Sequence, residues 1–167
     1  VEYTKTLKIW DPMQAETQIW PMAKEFLLNE IDSQVQKTVK EWAKLLVWGK
    51  RIDKKWYFYE PTILVDVTPE MTSYKEEIFG PVASIIKVKD VDEAIELANK
   101  SDFGLCWAVY WDDSEEILEA AKRIETWMVF LNKPAASQAS LPFGWVKKSG
   151  YWKENWPEWL KAFTNKK

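Results

Sequence analysis

Between Ala83 and Leu131 the apolar pattern switches between strand and helix periods, and this alternation constrains the fold more than any other stretch of the chain. Ala83–Val88 reads as a strand. Asp90 then stands three residues before Glu93, the spacing of a capping box, ahead of a helix face made by Val91, Ala94, Ile95 and Ala98. Cys106–Tyr110 reads as the next strand. Asp113 and Glu116 repeat the capping spacing before a face of Ile117, Leu118, Ala121 and Ile124, and Met128–Leu131 is a third strand. Strand, helix, strand, helix and strand with short connections predict two consecutive crossovers. That order gives three parallel strands, right-handed connections and an α/β class.

The flanking segments agree with this class. Met22, Phe26, Leu27, Ile31, Val35, Val39 and Trp42 recur mostly every four residues, which predicts a long helix over Met22–Trp42. Lys44–Trp48 and Trp56–Tyr59 read as short strands, and Ile63–Val67 as a β-branched strand stopped by Pro61 and Pro69. Lys133–Pro142 is a polar loop, and Glu158–Phe163 suits a short terminal helix. No repeat or linker interrupts the 167 residues, so a single domain over 1–167 is expected.

Composition removes several functions. Histidine is absent, and with it the commonest general base and metal ligand, so no metal site is expected. The net charge of −3 and the lack of any Lys/Arg run argue against nucleic acid. No apolar stretch approaches the roughly 18 residues of a membrane span, and Val1–Trp10 lacks the pattern of a secretory leader. Cys106 is the one cysteine, which fits a reducing, cytoplasmic setting. Tryptophan occurs 12 times and glycine only 5, where average usage gives glycine about 7% of residues.

The run Glu76-Glu77-Ile78-Phe79-Gly80-Pro81-Val82, preceded by Glu60-Pro61-Thr62-Ile63-Leu64, resembles the aldehyde dehydrogenase superfamily. Ser101-Asp102-Phe103-Gly104-Leu105, Ile124-Glu125-Thr126, Met128-Val129-Phe130-Leu131-Asn132, Leu141-Pro142-Phe143-Gly144, Val146-Lys147-Lys148-Ser149-Gly150-Tyr151 and Leu160-Lys161-Ala162-Phe163-Thr164-Asn165 follow in the family's order. Asn132-Lys133-Pro134 and Leu141–Gly144 look like its succinate-semialdehyde or lactaldehyde branch. The resemblance implies the C-terminal part of that family's catalytic domain, a three-layer sandwich with a mainly parallel sheet. It also implies NAD- or NADP-dependent oxidation of an aldehyde, in which a cysteine thiolate attacks, a hydride leaves for the nicotinamide, and water releases the acid. The family's nucleophilic cysteine, glutamate base and dinucleotide domain lie upstream of the matching region. No catalytic residue is therefore expected in this chain, and no bound cofactor.

The departures from the family have one direction. At every tryptophan from Trp10 to Trp56, and at Trp127, Trp145, Trp152, Trp156 and Trp159, the family carries glycine, as it does at Cys106. Trp42 and Trp127 each follow a helix, where a left-handed residue would by preference be glycine. At about 1–2 kcal/mol for each left-handed non-glycine residue, such changes could exhaust a domain's stability. Either the fold is rebuilt around them or many of the sites are not left-handed. The pattern reads as an engineered alteration of a dehydrogenase fragment. The rings either plug cavities or form a surface for self-association, with Trp152, Trp156 and Trp159 spaced for one helix face.

By resemblance, Glu77 matches the position that holds the nicotinamide ribose hydroxyls, and Phe79 the one that packs on the nicotinamide ring. Phe143 matches a substrate-tunnel aromatic, with Ser137 and Ser140 in a loop that could face a substrate carboxylate. Trp145 beside Phe143 would plug the tunnel mouth. Cys106, without a histidine partner and at the start of an apolar strand, reads as a small buried hydrophobe. The leading expectation is a catalytically inactive fragment. A designed self-associating or binding scaffold is one alternative. A dehydrogenase component that takes its catalytic cysteine and cofactor domain from another chain is the other.

Overall fold

Leu28, Ile31, Val35 and Thr38 recur at spacings of three and four and are all buried, and this stripe organises the first half of the chain. It lies on α2 (Glu25–Lys40), which follows the single turn α1 (Glu2–Lys5). A computed structural model describes residues 1–155, 157–162 and 164–165. The expected helix over Met22–Trp42 is shorter at both ends. Its stripe holds at Ile31, Val35 and Val39, but in the first turn Leu28 points inward, whereas Phe26 is exposed. Met22 lies before the helix, its amide donating to the Tyr57 carbonyl at 2.7 Å.

Four strands follow: β1 (Lys44–Val47), β2 (Arg51–Ile52), β3 (Phe58–Tyr59) and β4 (Thr62–Val65). After the turn α3 (Thr72–Lys75) comes β5 (Val82–Ser84). β4 is central, antiparallel to β1 and parallel to β5, and β2 pairs antiparallel with β3. The α2 stripe packs on Tyr59, Leu64, Val67 and Met71 to make the core of one compact unit, Val1–Lys87. Glu41, at the end of α2, accepts from the amide and hydroxyl of Thr72 at 2.6 and 2.9 Å, which ties α2 to the start of α3.

The second unit, Val88–Lys167, opens with α4 (Val91–Lys100), capped by Asp90 accepting from the Glu93 amide at 2.8 Å. Then come β6 (Phe103–Gly104), β7 (Cys106–Val109), α5 (Ser114–Lys122) and β8 (Met128–Leu131). Asp113 caps α5 by accepting from the Glu115 and Glu116 amides, and these bonds hold its carboxyl below the usual range. β7 and β8 are parallel, in register from Cys106 opposite Met128 to Val109 opposite Leu131. Two short antiparallel pairs complete the unit: β9 (Phe143–Gly144) with β11 (Lys153–Glu154), and β10 (Val146–Lys147) with β6. α6 (Pro157–Ala162) follows. Among the described residues no helix is long and apolar enough to cross a membrane.

The α/β class forms as expected, with mixed sheets. The three consecutive parallel strands do not. β5 is parallel to β4, the strand before it, and Ile85 leaves the ladder after donating to the Leu64 carbonyl at 2.8 Å. Only the β7–α5–β8 crossover forms as read. Leu118 is exposed, leaving Ile117 as the buried residue of α5. Trp42 is left-handed at φ 85, but Trp127 is not among the left-handed residues. α5 already ends at Lys122, and Trp127 leads into β8 with its amide donating to the Gly104 carbonyl at 3.3 Å. Lys153–Glu154 is a strand, so Trp152 shares no helix with Trp159, and Trp156 lies outside the described residues.

Candidate functional site

Between α3 and β5 the chain alternates direction. Ile78 is half-buried and packs on the core, so its neighbours Glu77 and Phe79 face outward, Phe79 with 71% of its surface exposed. Two features fix this presentation. Gln34, buried on α2, donates from Nε2 to Glu76 Oε2 at 3.1 Å and to the Glu77 carbonyl at 3.3 Å. Gly80 sits against Ile31, where a Cβ would meet Ile31 Cδ1 at 2.2 Å. The Gly80 amide donates to the Ile78 carbonyl at 2.9 Å, and the Pro81 carbonyl accepts from Thr62 at 2.8 Å. Among the described residues the Glu77 carboxylate has no hydrogen-bond or ion-pair partner. It is an acceptor-only group held out to solvent beside an exposed aromatic face, a donor-free pair suited to a diol and a flat ring.

Sequence reasoning singled out Glu77 and Phe79 and missed what positions them. Gln34 was legible as a polar residue three positions after Ile31, on the buried stripe of α2.

In the second unit Phe143 is half-buried on β9 and lines a cavity of about 310 Å³ with Phe130, Lys133, Gln138 and Leu141. The Trp145 ring stands edge-on to Phe143, centroids 5.3 Å apart and planes at 80°. Ser137 and Ser140 are exposed in the loop but outside the cavity wall. Asn155 Nδ2 donates to Ser137 Oγ at 3.3 Å and to the Gln138 carbonyl at 3.4 Å, which turns that stretch of loop towards β11. Gln138 and Lys133 are the polar wall residues that sequence reasoning passed over.

Cys106 is half-buried on β7, and burial pushes its thiol above the ordinary value. No cationic neighbour offsets that effect, so the thiol is a poor nucleophile at neutral pH. The described residues contain no cluster of three metal-binding side chains.

The sequence profile of the aldehyde dehydrogenase family matches residues 1–167. The chain belongs to the aldehyde dehydrogenase family. It is similar to the succinate-semialdehyde dehydrogenase (NADP+) of Deinococcus radiodurans, 41% identical over 157 residues, which cover 94% of this chain and 33% of that one. The succinate semialdehyde dehydrogenase (NAD(P)+) of Escherichia coli is 44% identical over 148 residues, 89% of this chain and 32% of that one. Among solved structures, succinic semialdehyde dehydrogenase from Streptococcus pyogenes in complex with NADP+ superposes with a TM-score of 0.93 at 36% identity, covering 98% of this chain and 36% of that one. This aldehyde dehydrogenase chain thus spans about a third of the length of the curated relatives it matches.

Proposed function

We propose that residues 1–167 supply the nicotinamide-facing and substrate-facing parts of an NAD(P)-dependent dehydrogenase that oxidises a short semialdehyde, and that they are catalytically silent alone. The observation that carries this reading is the outward presentation of Glu77 and Phe79 on a loop locked by Gln34 and Gly80. The nicotinamide, when bound, takes up the hydride leaving the aldehyde carbon. Glu77 accepts from both hydroxyls of the adjoining ribose, and Phe79 offers a face to the ring. Phe143 shapes the substrate mouth, and Lys133 and Gln138 supply the polarity a carboxylate-bearing aldehyde requires. The silence rests on the resemblance, which puts the family's nucleophilic cysteine and glutamate base upstream of these residues, and on Cys106 being a half-buried thiol on β7. A groove of about 720 Å³ between α4, α5 and β7, lined by Ile95, Trp107, Val109 and Ile117, favours further chain packing on the second unit.

In a chimera that joins these residues to the remaining two-thirds of a relative, Glu77→Gln raises KM for NADP+ more than KM for succinate semialdehyde. Phe143→Ala does the reverse. An unchanged cofactor KM in Glu77→Gln removes the reading. A designed self-associating or binding scaffold has the exposed Trp10, Trp20 and Trp42 in its favour. It requires sedimentation coefficients that rise with concentration, and a monomer at all concentrations excludes it.

A further inference from the structure

Tryptophan is highly buried on average in folded chains, yet no described tryptophan here is buried. The core is made of Leu, Ile, Val, Met, Phe, Tyr and Ala, while Trp42 is 87%, Trp20 64% and Trp10 52% exposed. At Trp42 and Trp48 the special feature is the backbone. At the end of α2 the Trp42 amide donates to the Val39 carbonyl at 3.1 Å and the Ala43 amide to the Thr38 carbonyl at 3.2 Å. This is the hydrogen-bond pair of a Schellman motif. Its left-handed residue, here Trp42 at φ 85, is usually glycine. Trp48 at φ 48 precedes Gly49 at φ 85, two left-handed residues in succession, where Asn-Gly or Gly-Gly is the favoured pair. The other left-handed non-glycine residues are Asp66, Asn132 and Asn155, types that tolerate this region, and Lys147; a bulky ring is costlier there. The main chain has not been rebuilt to suit the rings: it superposes on a solved relative with a TM-score of 0.94 over 99% of its length.

We infer that the positions held by these tryptophans are glycine positions, and that the codons behind them are read as glycine where the gene is expressed. A ring placed by design or selection would meet a partner. The Trp42 ring, 87% exposed, has no hydrogen-bond or ring partner among the described residues, whereas Trp127 donates to the Pro142 carbonyl at 3.4 Å and Trp145 packs edge-on against Phe143. Packing does not favour an exposed ring on a left-handed backbone such as Trp42, whereas one codon with two meanings changes all such positions together. UGA is such a codon, decoded as tryptophan under some genetic codes and as glycine under others. Glycines written with other codons are untouched by it, which leaves 5 glycines beside 12 tryptophans, of which all but Trp107 and Trp111 stand at family-glycine positions. Resting on the proposed function, one consequence is that glycine at 145 removes the ring packed against Phe143 and opens the substrate mouth.

The test is the gene together with the protein isolated from the organism that carries it. The inference requires UGA at Trp42, Trp48 and the other family-glycine positions, and peptide masses showing glycine at each. UGG codons there, or tryptophan masses in the isolated protein, overturn it. A recombinant chain carrying Trp42→Gly and Trp48→Gly melts higher than the tryptophan form. A lower melting temperature counts against glycine as the residue this backbone fits.

Discussion

Trp42→Gly is the substitution for which the structure yields the clearest number. A non-glycine residue held at φ 85 carries about 1–3 kcal/mol of backbone strain. Glycine's greater freedom in the unfolded chain takes back about 0.5–1 kcal/mol. Little packing is lost, because the ring is 87% exposed, and the Schellman bonds from Trp42 and Ala43 are main-chain bonds that survive the change. The net is a stabilisation of about 1 kcal/mol, or about 2–4 °C in Tm for a chain of this length. Thermal melts followed by near-ultraviolet circular dichroism read it, with Trp42→Ala as the control. Alanine removes the same ring but keeps the Cβ, so it leaves the strain in place and raises Tm by less. If alanine matches or exceeds glycine, the gain comes from deleting an exposed ring and the left-handed argument is wrong.

Gly80 is itself exposed, but Gly80→Ala pushes a Cβ against the buried Ile31 side chain, and this overpacking destabilises by about 1–3 kcal/mol in urea melts. Adding Ile31→Val removes the clashing Cδ1, so the double variant is more stable than the sum of the singles, and strict additivity would refute the contact. Asp90→Ala deletes the α4 cap and lowers stability by about 1 kcal/mol, read from the same melts. The backbone hydrogen bond from Thr72, with its hydroxyl and Lys37 and Lys75 assisting, holds the Glu41 carboxyl below its ordinary 4.5 against the opposing effect of burial. Its stabilisation is therefore fully present above about pH 4.5 and is lost as pH falls through the lower folded value. Glu41→Gln flattens that acid limb, and an unchanged limb contradicts the assignment. Cys106 reacts with thiol reagents more slowly than free cysteine, with a rate still rising above pH 9.0.

The sequence carried the local signals and lost the long-range ones. Both capping aspartates, the β7–α5–β8 crossover and the left-handed residue after α2 were legible, because each is set by residues within a few positions. The partner of β5 was not. Val82–Ser84 carries no mark to say whether its parallel neighbour precedes or follows it, and burial of Leu64 between α2 and the sheet settles the choice. In the first turn of α2, Phe26 and Leu28 are both apolar, and only the docked core shows which one faces in, while Ile31, Val35 and Val39 face the core as expected. At the candidate site, Glu77 and Phe79 came from a motif. Gln34, which fixes their loop from 43 residues away, left only a polar letter on an apolar stripe.

On the proposed function, residues 1–167 carry cofactor- and substrate-facing groups, and the attacking thiol comes from the rest of the protein. Absorbance of reduced nicotinamide, followed while the purified chain is incubated with NADP+ and succinate semialdehyde, addresses this directly. The account predicts no signal above the protein-free control, with signal appearing when the same residues are joined to the remainder of a relative. Turnover by residues 1–167 alone that disappears in both Cys106→Ala and Glu77→Ala would contradict it.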